Sequence, residues 1–382
     1  MPVLHVVLLM VAVGCSSPGD TDAASPGFDA EVGARLDAAL DDLLVELGLP
    51  GLSASVTLPD GARWEGATGV EDLAEAAPMT PDTRFKIGSV SKTVTAGLIL
   101  KRVESGGLDL DDALSRFRAD LERADEITVR QLLGHTSGIP TYNDDLEAAG
   151  AWDQVFALDD LVDLAADEAL LFAPGEGWSY SNTNYVLLGL ILEEVDGASW
   201  SSITNRELAD LGVGLDARAP DEDWGEVCQG YLVAPPGELT SYDGYTEMRD
   251  AIHHTTLDPA GGMVGTPTEM AAWGRALWGG DAVVGAALSD AMVQDAYVLS
   301  DTLAYGLGAA LRDDAYGTQI FHNGEVAGYA AWLGFRPDEG VALAVAGNAW
   351  VDDDGPDGST YSPTSHWTTV ASDRLWAAFK GD

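Results

Sequence analysis

The stretch Phe85-Lys86-Ile87-Gly88-Ser89-Val90-Ser91-Lys92 decides how this chain is read. Its first residues suit a short strand, and Gly88, lacking a Cβ, permits a tight turn. From Ser89 the pattern turns helical, with Val90, Val94 and Leu98 on one stripe, until Gly106-Gly107 stops it. Ser89 then sits in the first turn and Lys92 three residues on, where side chains share a face. A serine is a weak nucleophile until a base takes its proton. Ser-x-x-Lys supplies an amine within reach, and a helix N-terminus adds positive potential where an oxyanion would form. Standing alone, the pattern better describes a capping serine near a surface lysine. Its weight comes from two motifs further along.

The chain has 382 residues, 46% of them hydrophobic, enough for one large body with a subdomain or for two or three domains. The formal charge is −44, from 63 acidic against 19 basic residues. That excludes nucleic acid as a partner, because phosphate contacts need Lys and Arg. It equally opposes adhesion to anionic lipid. Only Lys86, Lys92, Lys101 and Lys380 are lysines, so two of them belong to the opening stretch. Such acidity predicts a fold that salt stabilises by screening self-repulsion.

Residues 1–15 read as a signal peptide, an apolar run too short to span a bilayer. Ala12-Val13-Gly14-Cys15 resembles a bacterial lipobox, although Ala12 stands where leucine is usual and His5 is the one basic group before the run. The expectation is export to the cell envelope or periplasm, with lipidated Cys15 as a membrane tether. Residues 16–28, rich in Ser, Pro, Gly and Asp, fit a flexible linker. Cys228 has no neighbours that would activate it and reads as a buried spectator.

Residues 30–47 predict an amphipathic helix, and 51–58 with 62–69 predict a hairpin about Pro59-Asp60-Gly61. Thr128 begins a helix that runs into the loop Gly134-His135-Thr136-Ser137-Gly138. His135, among small polar residues, reads as a hydrogen-bonding scaffold piece rather than a base. Helices are expected over 158–171, 186–194, 268–278 and 367–379. Tyr180 and Asn182, one residue apart at a loop-to-helix junction, point the same way if the loop is extended. Residues 200–260 lack steady periodicity, and His253-His254 lack the further ligands a metal site needs. Runs at 305–312, 319–324, 330–335 and 341–346 read as strands of an antiparallel meander.

Ser89-x-x-Lys92, Tyr180-Ser181-Asn182 and His322-Asn323-Gly324, in this order, resemble the penicillin-recognising serine hydrolases. The nearest likeness is to the group containing class C β-lactamases, D-Ala-D-Ala carboxypeptidases and related esterases. It runs from about residue 30 to 380, with support at 127–140, 172–193, Gly261-Gly262 and Tyr305-Gly-Leu-Gly. The resemblance implies an α+β, β-lactamase/transpeptidase-like fold: an antiparallel sheet flanked by helices, with an inserted helical subdomain. The sheet part would use about 29–85 plus 300–382, the helical part 86–299, with the active site in the cleft between them.

The resemblance further implies that Ser89 attacks a carbonyl, that Lys92 and Tyr180 act as base and later acid in an order left open, and that Asn182 holds the substrate amide or the lysine. The oxyanion hole would use the backbone N–H groups of Ser89 and Glu325. No metal or cofactor is implied. Many such proteins carry Lys-Thr-Gly where this chain has His322-Asn323-Gly324. A largely neutral histidine removes a fixed cation for a substrate carboxylate, and Glu325 adds negative charge. Arg312, on the neighbouring strand, is the candidate replacement. The leading expectation is an exported carboxypeptidase-like hydrolase of peptidoglycan-like peptides. The alternatives are an esterase or amidase on uncharged acyl groups and a non-hydrolytic penicillin-binding sensor.

Overall fold

The computed structural model describes residues 27–166, 168–233, 245–280, 282–294, 296–351 and 366–382. The leader, Cys15 and all but the end of the linker lie outside the described residues. The helices are α1 (Ala30–Leu47), α2 (Ser91–Glu104), α3 (Val129–Leu133), α4 (Asn143–Ala149), α5 (Leu158–Ala166), α6 (Asn182–Asp196), α7 (Trp200–Asp210), α8 (Pro267–Trp278), α9 (Ala286–Gln294) and α10 (Trp367–Lys380). Helix α1 begins where Asp29 accepts from the Glu31 and Val32 backbone N–H groups and ends at Gly48, whose φ is 64°. An N-cap of this kind contributes about 1 kcal/mol.

The hairpin is β1 (Gly51–Thr57) and β2 (Arg63–Asp72), edged by β3 (Ala77–Pro78). Strand β4 (Phe85–Lys86) leads into the Ser89 turn. The strands β5 (Asp216–Ala217), β6 (Tyr231–Val233), β7 (Tyr245–Glu247) and β8 (Met263–Gly265) follow. The C-terminal meander is β9 (Tyr297–Ser300), β10 (Leu303–Tyr305), β11 (Ala310–Asp314), β12 (Gly317–Val326), β13 (Tyr329–Arg336) and β14 (Val341–Gly347), with β15 (Ala349–Val351) after it. Nine strands form one antiparallel sheet in the order β3-β2-β1-β14-β13-β12-β11-β10-β9. Two small sheets, β4-β8-β5 and β15-β6-β7, flank the cleft segments.

Helices cover both faces of the large sheet. On one face Leu36, Leu40 and Leu43 of α1 and Ala371, Leu375 and Trp376 of α10 pack on Leu52, Val56, Trp332 and Val345. On the other, Met270, Ala271 and Trp273 of α8 meet Leu333, Phe335, Ala344 and Ala346. Strands buried on both faces have no polar side to present, which is why β13 and β14 read as unbroken apolar runs. Helix α2, buried continuously from Ser91 to Leu100, carries Lys92 into the second core directly after the 3₁₀ turn that holds Ser89.

Three expected boundaries shift for identifiable reasons. Gly88–Val90 is a 3₁₀ turn with Gly88 at φ 52°, so the α-helix proper begins at Ser91 rather than Ser89. The helix expected over 158–171 stops at Ala166, and the Leu171 N–H goes instead to the Gly138 carbonyl. The strand expected over 305–312 breaks between β10 and β11, where a Cβ on Gly306 would lie 1.8 Å from the Met292 carbonyl oxygen at the end of α9. That break matters for the site. Strand β11 leaves β12 at Phe321, so, among the described residues, 322–326 pair with β13 only and keep one edge unpaired by strand.

Candidate active site

The nucleophile turn is built by close backbone approach. A Cβ on Gly324 would lie 2.0 Å from the Ile87 carbonyl oxygen and 2.8 Å from the Ser89 nitrogen. One on Gly88 would lie 2.5 Å from the Glu325 nitrogen. Only glycine fits at either point, and the open edge of β12 is thereby pressed against the Ser89 turn. The Ser91 hydroxyl donates to the Gly88 carbonyl (2.7 Å) and accepts from the Met263 N–H (3.3 Å), tying the turn to β8. Ser89 itself stays partly accessible.

Lys92 is fully buried, and its Nζ lies 3.1 Å from Ser89 Oγ. The same nitrogen donates to Asn182 Oδ1 at 2.6 Å and to the Ala260 carbonyl at 2.8 Å. Among the described residues no carboxylate partner offsets its burial, which pulls its pKa well below the usual lysine value. Tyr180 packs its ring 4.8 Å from Lys92 Nζ. Burial holds the Tyr180 phenol protonated above its usual range; a hydrogen bond with Ser89 opposes this and the Glu325 charge adds to it.

The Tyr180 segment is held from behind by residues 135–143. His135 adopts φ 57° and accepts the Ser181 N–H on Nδ1 at 3.2 Å, while its ring lies 4.4 Å from the Tyr180 ring. Its role is therefore support of the Tyr180 loop. Asn182, the first residue of α6, donates through Nδ2 to Asn143 Oδ1 at 2.8 Å, and its backbone N–H donates to Thr141 Oγ1 at 3.3 Å. These bonds aim Asn182 Oδ1 at Lys92, so this asparagine binds the lysine.

His322 is buried beside this group, and burial lowers its pKa to about 3. Its Nδ1 donates to the Asn323 carbonyl at 2.5 Å and its Nε2 accepts from the Tyr305 hydroxyl at 3.0 Å, a neutral imidazole satisfied on both sides. Asn323 lies on the opposite face of β12, level with Trp332. Glu325 lies at the end of the open edge, its Oε1 3.1 Å from Nε2 of His366.

Arg312 corrects an expectation. Its guanidinium pairs with Asp373 of α10, donates to Gln319 Oε1 at 2.8 Å and lies 5.0 Å over the Trp332 ring. Strand alternation puts residues 312, 319 and 321 on the α1/α10 face, so Arg312 supplies no charge to the cleft.

Three contributors were not anticipated. The Ala260 carbonyl follows the cis peptide Asp258-Pro259. His254, set aside as a metal ligand, bonds through Nδ1 to Asp258 Oδ2 (2.7 Å) and through Nε2 to the Glu222 carbonyl (3.0 Å). Burial raises the Asp258 pKa to about 6, with His254 opposing the rise. His366 is the third, and its separation from Glu325 in sequence left no signal. A cavity of about 550 Å³ lined by Asp82, Arg84, Asp223, Trp224 and Asp250 includes none of the Ser89 group.

Comparison with known proteins places these residues in context. The beta-lactamase family profile matches residues 36–361. The chain is 31% identical over 333 residues to penicillin-binding protein 4 of Amycolatopsis lactamdurans, covering 81% of this chain and 84% of that one. It is 36% identical over 185 residues to esterase EstB of Burkholderia gladioli, covering 44% of this chain and 46% of that one. Its match to penicillin-binding protein 4* of Bacillus subtilis, 26% identical, spans 60% of that protein's length. Among solved structures, D-amino acid amidase of Ochrobactrum anthropi SV3 superposes with a TM-score of 0.80 at 25% identity, over 92% of this chain and 99% of that one.

Proposed function

This chain belongs to the beta-lactamase family of serine hydrolases, and from that premise we propose that it cleaves esters or amides through an acyl-enzyme on Ser89. The observation that carries the reading is the hydrogen-bond count at Lys92. A neutral amine has two N–H bonds, and two acceptors, Asn182 Oδ1 and the Ala260 carbonyl, take them. With the amine neutral, the form that burial favours, the lone pair is left for Ser89 Oγ, 3.1 Å away. Lys92 is therefore the first proton acceptor, and Tyr180 stays a phenol that donates.

Ser89 Oγ bonds to the carbonyl carbon as its proton passes to Lys92. The oxyanion is received by the Ser89 and Glu325 N–H groups, which the close approach at Gly88 and Gly324 brings side by side. The proton then goes to the leaving oxygen or nitrogen, through Lys92 or the Tyr180 hydroxyl, as the acyl–heteroatom bond breaks. Water attacks the acyl ester with its proton taken by the same amine. Ser89 regains a proton, and the products are a carboxylic acid and an alcohol or amine.

Between carboxypeptidase-like and esterase- or amidase-like activity, the electrostatics favour the second. A substrate ending in a free carboxylate asks for a cation, whereas His322 is neutral and Arg312 is engaged with Asp373. The likeness to penicillin-binding protein 4 keeps D-Ala-D-Ala cleavage and penicillin acylation as the second reading. A three-probe assay separates them: a p-nitrophenyl ester, a D-Ala-D-Ala peptide and a fluorescent penicillin, each beside Ser89→Ala. Ester turnover without penicillin labelling supports the first reading. Peptide cleavage supports the second, and penicillin labelling without turnover would make the protein a sensor. Activity that survives Ser89→Ala overturns the mechanism. We propose also that the chain is exported and lipidated at Cys15; labelled palmitate incorporated by the wild type and not by Cys15→Ser tests this.

A further inference from the structure

Helix α2 offers two polar side chains to one segment of the chain. Lys92 and Thr95 are three residues apart and share a face of the helix. Lys92 Nζ donates to the Ala260 carbonyl at 2.8 Å, and Thr95 Oγ1 donates to the Pro259 carbonyl at 3.1 Å. One helix turn thus holds two consecutive carbonyls. A threonine inside a helix commonly returns its hydroxyl proton to its own helix backbone. Thr93 does so, donating to the Val90 carbonyl at 2.7 Å. Thr95 sends its proton out of the helix instead.

Trp200, the first residue of α7, fixes that choice. Its indole N–H donates to Thr95 Oγ1 at 3.3 Å. An indole nitrogen only donates, so Oγ1 accepts there and its single proton is left for Pro259. Both side chains are buried. Trp200 is anchored in turn by its backbone N–H, which donates to Glu193 Oε1 of α6 at 2.7 Å.

The segment has little freedom left to re-aim its carbonyls. A peptide unit is planar, so Thr95 orients the whole unit between Pro259 and Ala260. The next unit carries the Ala260 carbonyl, and its Gly261 N–H donates to the Leu257 carbonyl at 2.7 Å. The Pro259 ring fixes its own φ. It also packs on Gly189 of α6, where a Cβ would stand 2.2 Å from Pro259 Cγ.

We propose that Thr95, locked by Trp200, is a positioning residue for the Lys92 base. By holding the peptide unit before Ala260, it keeps the Ala260 carbonyl on one Lys92 N–H and leaves the lone pair for Ser89. The proposal rests on the acyl-enzyme reading above, in which the same amine serves acylation and deacylation. Thr95 is fully buried and acts through Lys92, not on the substrate.

The test measures kcat, KM and the melting temperature of the full chain, with a p-nitrophenyl ester as substrate. Thr95→Val keeps the shape of the side chain and removes the hydroxyl. It should lower kcat by about ten-fold with KM within about two-fold, because both chemical steps slow together. Thr95→Ser restores the donor and should recover most of that loss. Thr93→Val is the comparison on the same helix. It removes the matching bond from Trp273 Nε1 (2.9 Å), but its hydroxyl serves Val90 and not the 259–260 segment. It should lose stability and keep kcat within about three-fold of wild type. If Thr95→Val does not fold, Trp200→Phe removes the indole N–H from outside α2 and should lower kcat more than Thr93→Val does. Wild-type kcat in Thr95→Val or in Trp200→Phe overturns the proposal. So does an equal loss in Thr95→Val and Thr93→Val, or a Thr95→Ser enzyme as slow as Thr95→Val. Ester turnover that survives both Ser89→Ala and Lys92→Met overturns the acyl-enzyme reading itself, whatever the Thr95 variants do.

Discussion

Lys92 Nζ and Ser89 Oγ lie 3.1 Å apart, three residues apart in sequence, with the amine buried and the hydroxyl accessible. Burial without a counter-ion disfavours the charged amine, which poises Lys92 to act as a base. The expected kcat/KM profile rises with pH through the lowered Lys92 pKa and stays level to the alkaline side, because the Tyr180 phenol titrates above its usual range. Lys92→Met should lower kcat/KM by about 10³-fold or more, and Tyr180→Phe by less, about 10–10²-fold. Steady-state rates on a p-nitrophenyl ester from pH 5 to 10 check this. A Lys92→Met enzyme with near-normal rates would remove the amine from the mechanism.

Gly324 touches the Ser89 turn with its backbone, and a methyl there would meet backbone atoms on both sides. Gly324→Ala must push β12 away from Ser89 and widen the pair of N–H groups. The expected cost is about 1–3 kcal/mol in stability and about 10²-fold in kcat from a weakened oxyanion site. Urea unfolding alongside kcat separates the two. A stability loss with unchanged kcat would show that the oxyanion donors lie elsewhere.

What was legible in the sequence was local. Ser89 and Lys92 share one helix turn, and α1 carries its own cap and periodicity, so short-range rules suffice for both. Tyr180 and Asn182 were found by their spacing, although Asn182 opens α6 instead of ending an extended loop. The antiparallel meander showed in alternating turn signals, but the Gly306–Ala309 break needed the end of α9, a tertiary neighbour. Arg312 was misplaced because a neighbouring strand says nothing of face, whereas counting alternation along β11 against Phe321 assigns it to the α10 side. Ala260 and His366 contribute through contacts to residues far away in the chain, which no periodicity reports.

Asp258 and His254 form a buried pair behind the carbonyl that Lys92 uses. A Cβ on Gly262 would lie 1.6 Å from Asp258 Oδ1, so the loop from 254 to 262 closes tightly on this carboxyl. Asp258→Ala leaves His254 without its partner and frees the loop. The expected loss is about 2–4 kcal/mol in stability, with kcat falling as the Ala260 carbonyl drifts and Lys92 regains freedom. Asp258→Asn, which keeps one hydrogen bond, should recover part of both. Equal kcat in all three proteins, measured below their melting temperatures, would show that the loop does not position Lys92.

Lys86 is the other buried lysine, lying 4.1 Å from the Trp224 ring centroid with Nζ donating to the Arg249 carbonyl at 2.5 Å. Burial lowers its pKa to about 7, with Asp250 opposing the shift. Below pH 7 the amine is charged in both folded and unfolded states, so the cost of burying charge is present in full. Between about 7 and 10 the native amine is neutral while the unfolded one keeps its proton, and this group's contribution improves as pH rises. Lys86→Met should therefore stabilise the fold by about 2–3 kcal/mol at pH 6, with the gain shrinking toward pH 9. Parallel stability curves for the two proteins across that range would refute the assignment.

The surface carries the consequence of composition. With 63 acidic and 19 basic residues, most carboxylates have no cation to pair with, and the net charge is −44. Ion pairs such as Arg118 with Asp120, Asp159 and Asp163 gather several carboxylates round one guanidinium, so pairing does not spread the charge. Self-repulsion then opposes compaction, and it acts over the Debye length, about 30 Å in 0.01 M salt and about 3 Å in 1 M. The fold should melt at higher temperature in 1 M than in 0.01 M potassium chloride, with most of the gain below about 0.3 M, where screening changes fastest. Burial of apolar surface also strengthens with some salts, so the comparison needs a chloride that is weak in that respect and a variant with several exposed aspartates changed to asparagine. Charge screening requires that variant to melt higher in low salt and to gain less from salt. If wild type and variant respond alike, the repulsion account fails even where the melting temperature rises.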